Sequence, residues 1–477
     1  MFSHVLKSRI FNTTQVSLVR TNWIRMATIF HDNIVVRPPV SRIQATNVPL
    51  SIDKAKLSVD VKLHALEITM PRELPVYRKQ FGDDLLQLHA VSNIVKPKNG
   101  NVLLLLRPGI ESLESEVMSD GLREYLKQRQ VKIMPYTLEL GYDYWRADEV
   151  LGAILPENLL NEIPSGFTMT GHIAHMNLRD EYLPYKYLIG QLILDKNPKV
   201  KTVVNKLDSI DTVFRTFAME VIAGPEDFNV EQHESDCRFR FDFSKVYWNS
   251  RLHTEHDRLI STFKPGQAVC DVFAGVGPFA VPAGKKNVIV MANDLNSYSY
   301  ESMVENIRLN KVEKTVIPFN MDGREFIRQS LNQLTKFRSA NPQIAVESKS
   351  RSRTSKDETG KRKVLVINVP ETYSHYVMNL PDSAITFLDA FKGLFSTRKL
   401  AELPLVHVHC FHKSDADKPK PEDSEVFEAL RTRISNALDF DIALNQLSFH
   451  FVRAVAPTKS MYCVSFRIPS EVAYSSL

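Results

Sequence analysis

DVFAGVGPFA, residues 271–280, is an apolar strand end that runs into a loop with Gly275 and Gly277 and then into a helix. Glycines let a backbone approach a ligand closely and adopt turns barred to other residues, so this stretch implies a nucleotide-like ligand. Around it, QAVCDVFAG, NVIVMANDL, TVIPFNM, VLVINV and LVHVHCF read as strands, with amphipathic segments such as SYESMVENIRLN between them. That alternation predicts a doubly wound α/β (Rossmann-like) domain with a mainly parallel sheet over residues 249–477. Its end, LSFHFVRAVAPTKSMYCVSFRI, reads as two strands joined by a Pro-containing turn, and residues 336–363 read as a polar, Ser- and charge-rich disordered insertion.

Upstream, Pro38, Pro39 and Pro49 mark an extended lead-in, and LHALEITMPRELPVYRKQF with NVLLLLRPG suggests a small α+β N-terminal domain over 32–120. Helical patterns in EYLKQRQVKI and DYWRADEVLGAILPENLLNEI open a middle α+β domain over 121–248. GFTMTGHIAHMNL, LIGQLILDK and KTVVNKL read as its strands, followed by FRTFAMEVIAG and FRFDFSKVYWN. Residues 1–31 carry Lys7, Arg9, Arg20 and Arg25 and no acid, the make-up of a mitochondrial presequence, and Met26 offers a second start. Residence in mitochondria and in cytoplasm or nucleus is therefore expected.

With 43% hydrophobic and 24% charged residues the composition is that of a globular protein, and no apolar run approaches the roughly 20 residues that span a bilayer. The net charge of +5 confines any nucleic-acid surface to a local patch. Cys237, Cys270, Cys410 and Cys463 lack the spacing of a zinc site or a disulfide framework. His407, His409 and His412 crowd Cys410, but VHVHCF alternates as a strand, which puts neighbours on opposite faces, so no metal is expected. Nothing requires more than a monomer.

Gly275, Gly277 and Ala280 also fit G-x-G-x-x-A, which alone would admit a dinucleotide-dependent oxidoreductase. Three strand-end acids shift the balance to S-adenosylmethionine. Asp271 is placed for the ammonium of its amino-acid portion, Asp294 for the ribose hydroxyls, and Asp322 for the adenine amino group, along the carboxyl edge where open parallel sheets bind ligands. Phe273, Leu295 and Gly323 belong to the same expected cofactor set. Each acid taken singly also reads as a cap of the helix that follows.

DFSKVYWNSRLHTEH, DVFAGVGPFA, NDLN, SHYVMNLPDSA and VRAVAPTKSMYC together resemble the archaeal and eukaryotic tRNA (guanine-37-N1)-methyltransferases, over roughly residues 130 to 470. The resemblance implies a class I methyltransferase domain, a small N-terminal domain that senses the tRNA body, and a middle domain. It also implies Glu255 as general base for the guanine N1 proton, with partial desolvation raising its pKa, and Arg215 as the donor to O6. Asn379 and Pro381 in MNLP match the loop that orients the base, in preference to Asn368 and Pro370 after VLVI. Tyr247 matches a tyrosine near the target base, and His256 a cofactor contact. Arg179 and Lys206 are candidate phosphate contacts. An aminocarboxypropyl transferase of tRNA hypermodification, and a non-catalytic RNA-binding scaffold, are the rival readings.

Overall fold

The computed structural model describes residues 29–31, 34–43, 48–49, 51–98, 100–210, 217–347, 364–417 and 421–476. The expected presequence therefore lies outside the described residues apart from Ile29–His31. The chain divides into two compact units, one of residues 1–168, 174–206 and 220–226, the other of 169–173, 207–219 and 227–477. Among the described residues no helix is long and apolar enough to cross a membrane.

In the first unit, a four-stranded sheet has the order Ile94–Val95, Val102–Leu105, Val59–Ile68, Ile133–Leu140. The last strand pairs with Val59–Ile68 from Val59↔Leu140 to Leu66↔Ile133. The helix Asp120–Arg129, capped by the Ser119 side chain, packs Leu122 and Leu126 into a core with Leu66, Tyr77 and Leu104. The boundary expected at 120 thus falls inside this fold. IMPYTLEL, which lies between the two helical patterns with no element expected for it, is a strand, and it ties the helix before it to the earlier sheet. LIGQLILDK is also corrected: it is part of the helix Lys186–Lys196, not a strand. Leu188, Ile189, Gly190, Leu192 and Ile193 are all buried, and a helix enclosed on several faces has the same apolar run as an inner strand.

The second unit carries a seven-stranded sheet. Its strands are β1 Ala268–Asp271, β2 Ile289–Asn293, β3 Val316–Phe319, β4 His375–Met378, β5 Leu405–Lys413, β6 Ser448–Ala456 and β7 Lys459–Arg467. Their order is β3-β2-β1-β4-β5-β7-β6. The first five are mutually parallel, and β7 runs antiparallel to β5 and β6. The helices that matter for the site are α1 His253–Thr262, α2 Ala280–Lys285, α3 Ser297–Leu309, α4 Gly323–Ala340 and α5 Asp423–Leu438. The expected mainly parallel sheet is the one observed.

Three expectations for this unit are corrected. VLVINV is not a strand of the large sheet: Val364–Asn368 pairs antiparallel with Gln343–Glu347 in a separate hairpin, and Val364, Leu365 and Val366 are exposed. The fully buried HYVM of β4 takes the place expected for it. The insertion expected over 336–363 is narrower, because 336–340 complete α4 and 343–347 form a strand, while 348–363 lie outside the described residues. Finally, FRFDFSKVYWN belongs with the α/β unit rather than before a boundary at 248. Its strand Cys237–Asp242 is held by side-chain amides of α3 and its cap: Arg240 N–H donates to Asn306 Oδ1 at 2.7 Å and Arg238 N–H to Asn310 Oδ1 at 3.0 Å.

Close packing sets one measurable limit. A Cβ on Gly284 in α2 would stand 2.4 Å from Val316 Cγ2 and 3.0 Å from Thr315 Oγ1, both on buried residues. Gly284→Ala is therefore expected to destabilise the α/β unit by about 1–3 kcal/mol through overpacking, against the ~1 kcal/mol gain that helix propensity alone would bring. A urea titration that finds the variant more stable than the parent contradicts this packing.

Candidate functional site

The carboxyl ends of β1 and β2 hold the glycine turn. Gly275 and Gly277 have φ of +55° and +97°, in the left-handed region that only glycine enters freely. Nothing lies within 4 Å of where a Gly275 Cβ would be, so this side of the turn is open. Gly275 N–H donates to Asp294 Oδ2 at 2.8 Å, and Asn296 N–H donates to Asp294 Oδ1 at 2.9 Å. One carboxylate thus ties the turn to the start of α3. Asn293, fully buried beside it, donates through Nδ2 to Val272 O and Met321 O and accepts Met321 N–H on Oδ1, which locks the exits of β1, β2 and β3 together. The sequence reading missed Asn293, although it adjoins Asp294 in the motif NDLN.

Asp271 is fully buried, and neither carboxylate oxygen has a hydrogen-bond donor at bonding geometry. Burial, reinforced by the charge of Asp294, pushes its pKa up to about 8; His409 and the Phe273 N–H offset only part of this. Such a group, next to an open glycine turn, suits a ligand that brings a cationic donor. Asp322 is different. It is exposed, and its Oδ1 accepts Arg324 N–H and Glu325 N–H as the N-cap of α4, the alternative reading of a strand-end acid. Gly323 follows it, buried, where a Cβ would meet the Phe273 ring at 2.6 Å. Phe273 in turn sets its ring against Phe387, 5.0 Å between centroids, and Leu295 is 52% exposed.

Glu255 stands in the first turn of α1 and is buried. Arg258 grips both its oxygens, Nε to Oε2 at 2.6 Å and Nη2 to Oε1 at 2.7 Å, and His409 Nε2 lies 2.7 Å from Oε1. Burial acts to raise its pKa, but these donors prevail and hold it down to about 2. The expected upward shift is therefore corrected: desolvation came with two cationic partners, Arg258 and His409, that the sequence reading had not assigned. For His409, burial acts downward, yet Cys463 and Glu255 raise it to about 10.

β5 carries His409 to the catalytic edge. Met378 pairs with Val408, so Asn379 follows β4 beside His409, and Phe411 N–H donates to Pro381 O at 2.9 Å. The Asn379 Oδ1 is buried without a hydrogen-bond partner. Phe279, at the entry to α2, lies 5.9 Å from the His409 ring and 4.7 Å from the His256 ring, centroid to centroid. Glu255 thus bonds His409, Phe279 packs near the same ring, and Asn379 follows the neighbouring strand. His256 is buried, with Nδ1 on Glu234 Oε1 at 2.5 Å. Tyr247 is 41% exposed and accepts from Asn249 Nδ2, so it is not a core tyrosine. Arg215 lies outside the described residues. In the first unit, Arg179 is engaged by Glu162 and Glu181.

The histidines of VHVHCF also resolve. His407 and His409 share one strand face. His407 stacks on His375, and burial drives both pKa values down, to about 3 and about 4, so this pair is neutral. The sulfur that joins His409 is Cys463, its register partner on β7, not Cys410. Glu255, His409 and Cys463 bring ligand atoms within 4.8 Å of one another, a grouping the sequence did not announce. With the Arg258 guanidinium on both Glu255 oxygens, the cluster is an ion-pair network.

Comparison with known proteins places the chain among relatives of one family. Residues 147–227 match the family model "TYW2 N-terminal domain", and residues 230–335 match "TRM5/TYW2 methyltransferase domain". The chain is 50% identical to the tRNA (guanine(37)-N(1))-methyltransferase of Schizosaccharomyces pombe, across 94% of this chain and 99% of that one. Identity to the Saccharomyces cerevisiae protein of the same name is 45%, across 91% and 95%. Among solved structures, Trm5b from Pyrococcus abyssi aligns with a TM-score of 0.53 at 22% identity, over 85% of this chain and 99% of that one. An archaeal Trm5 solved with tRNALeu aligns with a TM-score of 0.56 at 20% identity, over the same shares. These two likenesses show the fold.

The state of Asp271 is open to a direct test. A carboxyl whose folded pKa is raised above its unfolded value loses stability as pH climbs from the unfolded value near 4 to the folded value near 8. Asp271→Asn removes that cost, so the variant should gain stability over the parent by on the order of 1 kcal/mol per pH unit across this window and level off above it. Denaturation curves at pH 5 and pH 8 that show the same difference would refute the assignment.

Proposed function

Because the chain belongs to the tRNA (guanine(37)-N(1))-methyltransferase family, we propose that it transfers a methyl group from S-adenosylmethionine to N1 of guanine 37 in the anticodon loop of tRNA. The observation that carries this reading is Asp271, a buried carboxyl with no partner at hydrogen-bonding geometry beside an open glycine turn, near enough to His409 to feel its charge. When bound, S-adenosylmethionine supplies an electrophilic methyl group on a sulfonium. Asp271 takes its ammonium, the lone pairs of Asp294 left by Gly275 and Asn296 take the ribose hydroxyls, and Asp322 takes the adenine amino group. Phe273, Leu295 and Gly323 line the same crevice, and His256 supports it from behind Phe279.

Guanine N1 carries a proton at neutral pH and attacks well only as that proton leaves. Glu255 accepts it. Arg215 donates to O6 and stabilises the charge that spreads there. Asn379 turns its unpartnered Oδ1 to the edge of the base, and Pro381 anchors that loop to β5. Exposed Tyr247 is available to stack on the extruded base, whose place in a loop makes extrusion inexpensive. Arg179 and Lys206 are phosphate contacts on this reading, Arg179 by exchanging its surface carboxylates for the tRNA backbone.

Purified protein should methylate a tRNA transcript with guanine 37 and not one with that base replaced. Glu255→Gln should lower kcat about 10²–10⁴-fold while tRNA binding survives. A product nucleoside heavier by an aminocarboxypropyl group would establish the rival transferase instead, and absence of any product would favour the scaffold.

The basic, acid-free composition of residues 1–31 supports delivery to mitochondria, with translation from Met26 serving cytoplasm or nucleus. Residues 1–31 fused to a fluorescent reporter should carry it into mitochondria; a diffuse signal removes this element.

A further inference from the structure

The two oxygens of Glu255 are unequally used. Oε1 accepts from Arg258 Nη2 at 2.7 Å and faces His409 Nε2 at 2.7 Å, which fills both of its in-plane lone pairs. Oε2 accepts only Arg258 Nε at 2.6 Å, and the next group near it is His450 Nε2 at 3.5 Å. The His450 side chain is 45% exposed, whereas those of His409 and Glu255 are 0% and 2% exposed. The carboxylate therefore has one oxygen closed off by two donors and one directed toward the partly exposed His450.

On the reading of Glu255 as base, we propose that His409 is a positioning residue: its bond to Oε1 orients the carboxylate so that Oε2 alone takes the guanine N1 proton. The N1–H bond breaks and an Oε2–H bond forms. The electron pair left on N1 becomes the bond to the methyl carbon, and the carbon–sulfur pair departs with the sulfur. His409 sits on β5 between β4 and β7, and the aligned packing of α1 fixes its distance: Phe263, two turns beyond Glu255, lies over His375 and His407 further down the same face. Its Nδ1 has no partner at hydrogen-bonding geometry, and Cys463 lies close in the same cluster, so the ring is held by packing, by Cys463 and by Glu255.

The groups facing Glu255 are Arg258 from α1, His407 and His409 from β5, His450 from β6 and Cys463 from β7, with Asp271 of β1 acting on His409. Of the cations, Arg258 bonds both oxygens, and His409 alone bonds one selectively. Removing His409 therefore leaves the carboxylate to Arg258 alone, with one lone pair of Oε1 open, and raises its affinity for a proton; it also removes a charge that holds Asp271 down.

The experiment compares His409→Gln, whose amide can still donate to Oε1, with His409→Leu, which cannot. Both are checked by thermal melting and by S-adenosylmethionine binding. His409→Leu should lose kcat at least tenfold at saturating cofactor with KM for tRNA within about twofold, and the acid limb of kcat/KM should move up by one pH unit or more. His409→Gln should stay within about fivefold of the parent, with the limb in place. Equal losses in both variants with an unmoved acid limb would mean that His409 only packs, and the proposal fails; so it does if folded His409→Leu turns over normally. If Glu255→Gln is itself fully active, the base reading has failed, a result separate from either.

Discussion

The buried amide of Asn293 and the carboxylate of Asp294 hold the working edge of the sheet together. Strand tips in an open parallel sheet end in loops with many unsatisfied backbone groups, and water would normally serve them. Asn293 closes three such groups at once, on Val272 and Met321, and Asp294 closes two more, on Gly275 and Asn296. Adjacent side chains on one strand end therefore fix the glycine turn relative to β3 and α3. The open face of Gly275 is preorganised and need not be ordered by the ligand.

Within that rigid edge, burial has opposite effects on two acids. Asp271 and Glu255 are both withdrawn from water, but Asp271 has no donors and is driven up to about 8, whereas Glu255 has a guanidinium and an imidazole and is driven down to about 2. Two carboxylates whose surroundings push them apart take different roles. On the proposed reading the unpartnered one receives a positive group, and its cost in stability is returned only when that group arrives. The fully partnered one stays charged throughout.

How much of this was legible in the sequence follows from which forces are local. The glycine turn, the strand-end acids and the α/β alternation are encoded within a few residues, and they are where the sequence indicates. The errors arose where tertiary context decides. LIGQLILDK is a helix because it is surrounded, and VLVINV is an exposed hairpin strand because β4 takes the central place with only four residues. Asp322 gives one oxygen, Oδ1, to its own helix cap. His409 was read only as a member of an alternating strand. Its partners, Glu255 on a helix far upstream and Cys463 on a strand downstream, meet it only through the sheet register and the docking of α1.

The low proton affinity of Glu255 also constrains the order of events. A carboxylate held near 2 is a poor acceptor for the N1 proton of neutral guanine, so a deprotonated base would not accumulate before methyl transfer. As the N1–carbon bond forms, however, nitrogen loses electron density and its proton becomes strongly acidic, and a weak base suffices to take it. With Glu255 proposed as the base, Arg258 and His409 would have two opposed tasks: to keep it ionised and aimed, and to restrain it from acting until the methyl group is in transit. A stronger base in a buried site would itself be protonated near neutral pH and arrive at the reaction already spent.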